Sequence, residues 1–283
     1  MTTLKRLFTL FSLFCATSLF SQEKIDSSKQ LDNIIIKGYE SNATLLKVPA
    51  SIAVIGKSTL SGFSNASLLP AINSVSGIKM EERSPGSYRL SIRGSLLRSP
   101  FGIRNVKIYY DDFIFTDAGG NTYLNLLDIN HVNALEIIKG PAGSLYGAGT
   151  GGAILLSGLG NSSDSNDIKL RLAGGSFGTL NESIQYLHQS KHVQLSVGQG
   201  HLQSKGYRTQ SGMRKDNLQL NVKIKSTENV STDFLFLYTD LYYQTPGGLT
   251  LAQFIANPRQ SRPATSTLPS VIDQKTAIYN KTA

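Results

Sequence analysis

The sequence predicts an α+β domain followed by antiparallel strands of a transmembrane β-barrel. Three observations carry that expectation. One short apolar run stands at the N-terminus, and no later run approaches the ~18 residues of a helical membrane span. Residues 45–158 mix short strand patterns with one stretch of helical spacing. From residue 168 onward apolar and polar positions alternate in runs of ~10 residues, the pattern of strands with one face in lipid.

The elements follow in chain order. Lys5 and Arg6 precede an apolar run over residues 7–20, too short to span a bilayer, and Ser21 is a small residue at a cleavage point. Residues 1–21 therefore read as a secretory signal peptide. The single cysteine, Cys15, lies inside that run behind Phe14, a poor lipobox residue, so the mature chain has no disulfide and no cysteine metal site. Beyond the inner membrane such a chain crosses lipid only as a closed barrel, because backbone polar groups must be satisfied internally. Residues 22–44 read as flexible, with a strand-forming run at Ile34, Ile35 and Ile36 suited to adding as a strand to a partner.

Within residues 45–158 strands are expected at 51–55, 88–93, 106–110, 134–139 and 153–157. A helix is expected over 65–75 from Leu68, Leu69 and Ile72, bent or broken at Pro70. Asp111 and Asp112 form a turn, and residues 140–152 are glycine-rich. Residues 159–167 read as a linker. Residues 168–283 then supply partial-barrel strands: Ile168, Leu170 and Leu172; Val193, Leu195 and Val197; Leu218, Leu220, Val222 and Ile224 each alternate with polar neighbours. A soluble sandwich with one wet face gives the same alternation, and the signal peptide favours the barrel.

Composition narrows the function. Apolar residues make up 40% and charged residues 17%, with 26 glycines, 12 tyrosines and 12 phenylalanines, a profile of turn-rich β structure. The net charge of +9 comes from scattered basic residues, which argues against nucleic acid as a partner. Gly147, Gly149 and Gly152 satisfy G-x-G-x-x-G with Asp167 about twenty residues on, but the helix that should receive a pyrophosphate is missing. Gly56, Lys57 and Ser58 resemble the end of a P-loop, yet Ser51 occupies the place of its first glycine. His131, His188, His192 and His201 have no metal-ligand spacing. The reading is therefore of a chain that is not an enzyme and holds no cofactor or resident metal.

The blocks RLSIRG (89–94), VKIYYDD (106–112), ALEIIKGPAGSLYG (134–147) and GTGGAI (149–154) stand in the order and spacing of the TonB-dependent receptor plug. LDNIIIKG resembles the TonB box, VPASIAVIGK the start of the plug, and YQTPGGLTLAQF (243–254) an early extracellular loop of iron-complex receptors, notably the ferric-citrate type. The resemblance implies an α+β plug domain followed by barrel strands, in an outer-membrane receptor and transporter for a metal chelate, a ferric siderophore or ferric citrate. It implies three partners: the TonB energy-coupling protein, the iron chelate and outer-membrane lipid. A soluble periplasmic plug-like module and a non-transporting surface β-protein are the alternatives.

For the sites it implies a TonB box at Leu31, Asp32, Asn33, Ile34, Ile35 and Ile36. Ligand contacts are expected at Arg83, Tyr88, Arg98, Phe101 and Arg104, where arginines suit an anionic chelate. Plug–barrel contacts are expected at Arg93 and Glu136. Plugged barrels of this kind close with about 22 strands. The residues after 165 leave room for roughly five to eight, so the chain is expected to be a fragment or a truncated product.

Overall fold

The computed structural model describes residues 35–40, 43–63, 67–84, 87–95, 102–159 and 165–283. The expected signal peptide, Leu31 to Ile34 of the TonB-box segment, Arg98 and Phe101 lie outside the described residues.

The first domain opens with a short antiparallel pair, β1 (Ile35–Ile36) and β2 (Ala43–Thr44). Strand β3 (Ile52–Gly56) follows, then helices α1 (Lys57–Ser61) and α2 (Leu69–Asn73). Of the helix expected over 65–75, residues 67–75 are described, and among these Leu69–Asn73 are helical. Pro70 falls in its first turn, where a missing N–H is harmless, so it starts the helix instead of breaking it. Strands β4 (Ile78–Ser84) and β5 (Ser87–Ile92) form a hairpin. β4 escaped the sequence reading because its residues 81–84 are polar, and only Ile78 and Met80 point inward.

Strands β6 (Val106–Tyr110), β7 (Phe113–Ile114), β8 (Ala134–Lys139) and β9 (Gly152–Ser157) join β3 in a sheet of order β3-β8-β9-β6-β7, with helix α3 (Gly143–Tyr146) between β8 and β9. Neighbours are antiparallel except β6 with β9. β8 buries Leu135, Glu136, Ile137 and Ile138 in succession, as a strand covered on both faces must. The core gathers Ile72, Leu90, Ile92, Ile108, Tyr110, Leu135, Ile137 and Ile154. At Gly152, φ is 127° and an added Cβ would collide with the Ile138 carbonyl, so the chain passes there only as glycine.

Six antiparallel strands follow in sequence order: β10 (Ser165–Gly175), β11 (Thr179–Gln189), β12 (Val193–Ser204), β13 (Met213–Thr227), β14 (Val230–Gln244) and β15 (Ala277–Thr282). β10 begins at Ser165, so three residues read as linker are strand, paired with Gln189, His188 and Leu187. Turns at one end are short, at residues 190–192 and 228–229. At the other end lie an eight-residue loop, 205–212, and a long one, 245–276, which carries α4 (Leu251–Ala256) and α5 (Val271–Gln274). One face of the sheet is apolar and open: Ile168, Leu170 and Leu172 are 64%, 76% and 76% exposed. The other face is polar and covered by the first domain, as a barrel wall around a filling demands. Among the described residues no helix is long and apolar enough to cross a membrane.

Candidate functional site

Every second residue of β13 from Lys215 to Lys223 reaches the first domain, because residues two apart in a strand share a face. The Lys215 ammonium donates to the Leu127 carbonyl at 2.9 Å, and Asn217 Nδ2 donates to the Leu126 carbonyl at 3.0 Å. Gln219 donates to the Tyr110 hydroxyl, Asn221 donates to the Asp111 carboxylate, and Lys223 pairs with Asp112 at 2.9 Å. From β14, Thr239 Oγ1 also donates to the Leu126 carbonyl, at 2.7 Å. Burial pushes the Asp111 carboxyl up, against the Lys37 charge and the Gly158 N–H that pull it down.

β12 meets the turn at residues 128–131. The Asp128 carboxylate caps this turn by accepting from the Asn130 N–H at 2.9 Å. Its other members reach β11: Asn130 Nδ2 donates to Asn181 Oδ1 at 3.2 Å, and His131 Nε2 lies 3.2 Å from Ser183 Oγ. The turn presses onto two glycines. A Cβ on Gly198 would overlap the His131 ring, and one on Gly200 would overlap the Asp128 carboxylate. Burial lowers the His131 pKa, so the imidazole is kept neutral in this seam. Beside it the Lys57 ammonium donates to the Asn130 and Val132 carbonyls at 2.7 and 3.0 Å.

At the long-loop end, a cavity of about 600 Å3 opens between the β4–β5 hairpin tip and the wall. Arg83 and Tyr88 line it from the hairpin, Tyr123 and Asn125 from the segment after β7, and Arg208, Tyr243 and Gly247 from the wall and its loops. Burial raises the Tyr88 phenol, so it presents a neutral hydroxyl. Arg208 fixes the long loop over the cavity, donating from Nε to the Gln260 carbonyl at 3.0 Å and from Nη2 to the Pro246 carbonyl at 3.4 Å.

The residues singled out in the sequence are thus dispersed. Arg83 and Tyr88 face one cavity. Arg104 is exposed and donates from Nε to Asn121 Oδ1 at 2.7 Å, away from the cavity lining. Arg93 is exposed at the end of β5, with its guanidinium beside Gly140. Glu136, expected between domain and wall, turns its carboxylate toward the N-terminal segment and accepts from Lys37 and Gly38. Ile35 and Ile36 pair with Thr44 and Ala43. Sequence reasoning missed Tyr123, Arg208 and Tyr243. The alternation in β14 signals only that Tyr243 lies on the face opposite Tyr242, and nothing local marks the other two.

Residues 44–154 match the TonB-dependent Receptor Plug Domain. Among curated proteins, the vitamin B12 transporter BtuB of Vibrio vulnificus (strain CMCP6) is 26% identical over 139 residues, covering 48% of this chain and 22% of that protein. Among solved structures, the unliganded ferric citrate transporter FecA gives a TM-score of 0.60 at 17% identity, over 75% of this chain and 34% of its own. The copper transporter OprC gives 0.57 at 15%, over 71% and 32%. The ferric yersiniabactin uptake receptor FyuA from Yersinia pestis gives 0.55 at 16%, over 68% and 32%. The chain spans under a quarter of the curated relative and about a third of these structures. With a plug motif in order, a plug fold behind it and a polar-faced antiparallel sheet packed on that plug, residues 44–154 form a TonB-dependent receptor plug domain followed by strands with the fold of these receptors' barrels.

Proposed function

We propose that this chain forms part of a gated transporter for an anionic metal chelate, a ferric siderophore or ferric citrate, energised through TonB. The observation that carries the reading is the cavity at the long-loop end, walled by plug on one side and barrel on the other. Arg83 and Arg208 bring positive charge to it, and Tyr88, Tyr123 and Tyr243 bring aromatic surface. Charged donors suit the carboxylates or catecholates of a chelate, and the rings pack on its organic part. Relatives named for ferric citrate, ferric yersiniabactin, copper and vitamin B12 all carry a metal or a metal complex, which favours the same class of cargo here. The plug fills the lumen at rest. A pull on the leader at residues 31–36 by the energy-coupling protein then opens a path.

The test uses ferric citrate as probe on cells displaying the receptor. The expected result is saturable binding that weakens in Arg83→Ala and again in Arg83→Ala with Arg208→Ala. Each lost charged hydrogen bond costs about 1.5–3 kcal/mol, or roughly tenfold or more in affinity. Equal affinity in wild type and both variants would remove the cavity from the reading. Saturable cyanocobalamin binding, insensitive to both substitutions, would redirect it to a neutral cargo.

A further inference from the structure

The N-terminal segment is tied to an interior strand of the plug sheet, β8, and not to an edge strand. Among the described residues β1 holds β2 through two residue pairs. Directly after it, the Lys37 N–H lies 2.9 and 3.0 Å from the two Glu136 carboxylate oxygens, and the Gly38 N–H donates to Oε2 at 2.8 Å. The Tyr39 N–H donates to the Tyr146 hydroxyl at 2.7 Å. Three successive backbone donors thus converge on two side chains. Tyr39 takes φ 60° and ψ 24°, a left-handed turn, and consecutive N–H groups around such a turn form a concave anion cradle.

The anchors are themselves well held. Glu136 is 9% exposed and belongs to β8, which is paired on one side with β3 and on the other with β9. Tyr146 packs with Ile138, Ala142 and Ala153, and its ring meets those of Tyr39 and Tyr109 edge-on at 6.0 and 5.6 Å. Gly38 is buried, and a Cβ there would stand 3.2 Å from Ile52 Cδ1 and 3.4 Å from the Glu136 carboxylate, so the chain lies as close as backbone allows. A buried carboxylate is tolerated only when donors satisfy it, and hydrogen bonds to it are roughly twice as strong as neutral ones.

We propose that Glu136 and Tyr146 are the anchor at which tension on the N-terminal leader enters the plug. A pull on the residues before Ile35 unzips β1 from β2 and is then resisted at Glu136, so the load falls on an interior strand of the plug sheet. This rests on the reading that a partner pulls the leader.

The test needs neither ligand nor partner, so its outcome is separate from the fate of that reading. Outer-membrane fractions carrying the full chain are treated with trypsin. Lys37 and Lys47 both have exposed side chains, so cleavage after Lys37 reports release of the tether and cleavage after Lys47 controls for general loosening. Glu136→Ala is expected to speed cleavage after Lys37 about tenfold with Lys47 unchanged, and Tyr146→Phe to do so by a smaller factor. Tyr146→Phe deletes a single hydroxyl and keeps the ring, which covers the case in which Glu136→Ala does not fold. In a second measurement a handle at Gln30→Cys is pulled on single receptors. Wild type should show a rupture before the plug sheet opens, and both variants should show it at lower force. Unchanged cleavage after Lys37 in the folded variants, or a first rupture at unchanged force, overturns the anchor.

Discussion

Ile108 in β6 and Leu170 in β10 both alternate with polar neighbours in a strand, yet Ile108 is 0% exposed and Leu170 is 76% exposed. The plug sends its apolar side chains to a common core with α2 and the β4–β5 hairpin. The barrel sheet does the reverse. Its covered face carries Asn181, Gln185, Ser196, Gln219 and Asn221, and its open face carries Ile168, Leu170, Leu172 and Phe234. The difference is one of solvent. The plug buries apolar area away from water, whereas a barrel strand leaves that area to lipid and must satisfy its polar face with protein. The plug is that protein, and the polar ladder of β13 spends its donors on plug carbonyls, a hydroxyl and carboxylates.

The sharpest break of this contrast is a matched truncation. Ile108→Ala empties part of a closed core and should cost about 2–5 kcal/mol, read as a shift in the denaturant midpoint of the receptor in detergent. Leu170→Ala should cost less than about 0.5 kcal/mol. Comparable losses would show that the sheet has an apolar core after all. A charge on the open face comes next: Leu170→Lys should cost up to about 2–4 kcal/mol in a bilayer, measured by folding into vesicles, while an aqueous exposed site would tolerate it. The seam between the regions is probed by Gly200→Val. Its new Cβ meets the Asp128 carboxylate, and overpacking should cost about 1–3 kcal/mol and make the plug easier to extract with urea while the barrel persists.

The smallest effect is in pH. Burial first, then the Lys169 and Arg171 charges, hold Lys57 down to about 8 from 10.5. The folded plug therefore gives up this proton sooner than the unfolded chain does. Below about 8 the ammonium is charged in both states and its full penalty is present. Between about 8 and 10.5 the folded state sheds the charge first, so stability climbs as pH rises. Its slope stays below the limit of ~1.4 kcal/mol per pH unit, which a single group reaches only if the folded state has lost the proton entirely while the unfolded state still holds it. Denaturant midpoints across that window should rise in wild type more steeply than in Lys57→Met; parallel curves would remove Lys57 from the account.

Much of this contrast is legible in the amino-acid sequence alone. The alternation of Leu218, Leu220 and Val222 with Gln219 and Asn221 announces a strand with two unlike faces, because side-chain direction has a period of two. The run Leu135 to Ile138 announces a covered strand. Sequence patterns fail where one local pattern is shared by two outcomes. Residues 65–75 have helical spacing, but the described part of that stretch makes one short helix at Leu69–Asn73 and then leaves it for β4. Arg104 and Arg83 look alike in sequence as basic residues of polar loops. Arg104 donates to Asn121 and is not part of the cavity lining, whereas Arg83 lines the cavity, and only the path of distant elements separates them.

The sequence by itself determined the order of domains, the alternation that makes a wall and the motif that names the plug, because these are written in neighbouring residues. Only the tertiary structure decided what each polar residue meets. Glu136 meets the leader 98 residues before it, Gln219 meets Tyr110 across 109 residues, and Arg208 meets the long loop 52 residues on. Hydrogen bonds and close packing act over a few ångströms of space, and a chain pattern with a period of two says which face a side chain takes without saying what stands opposite it.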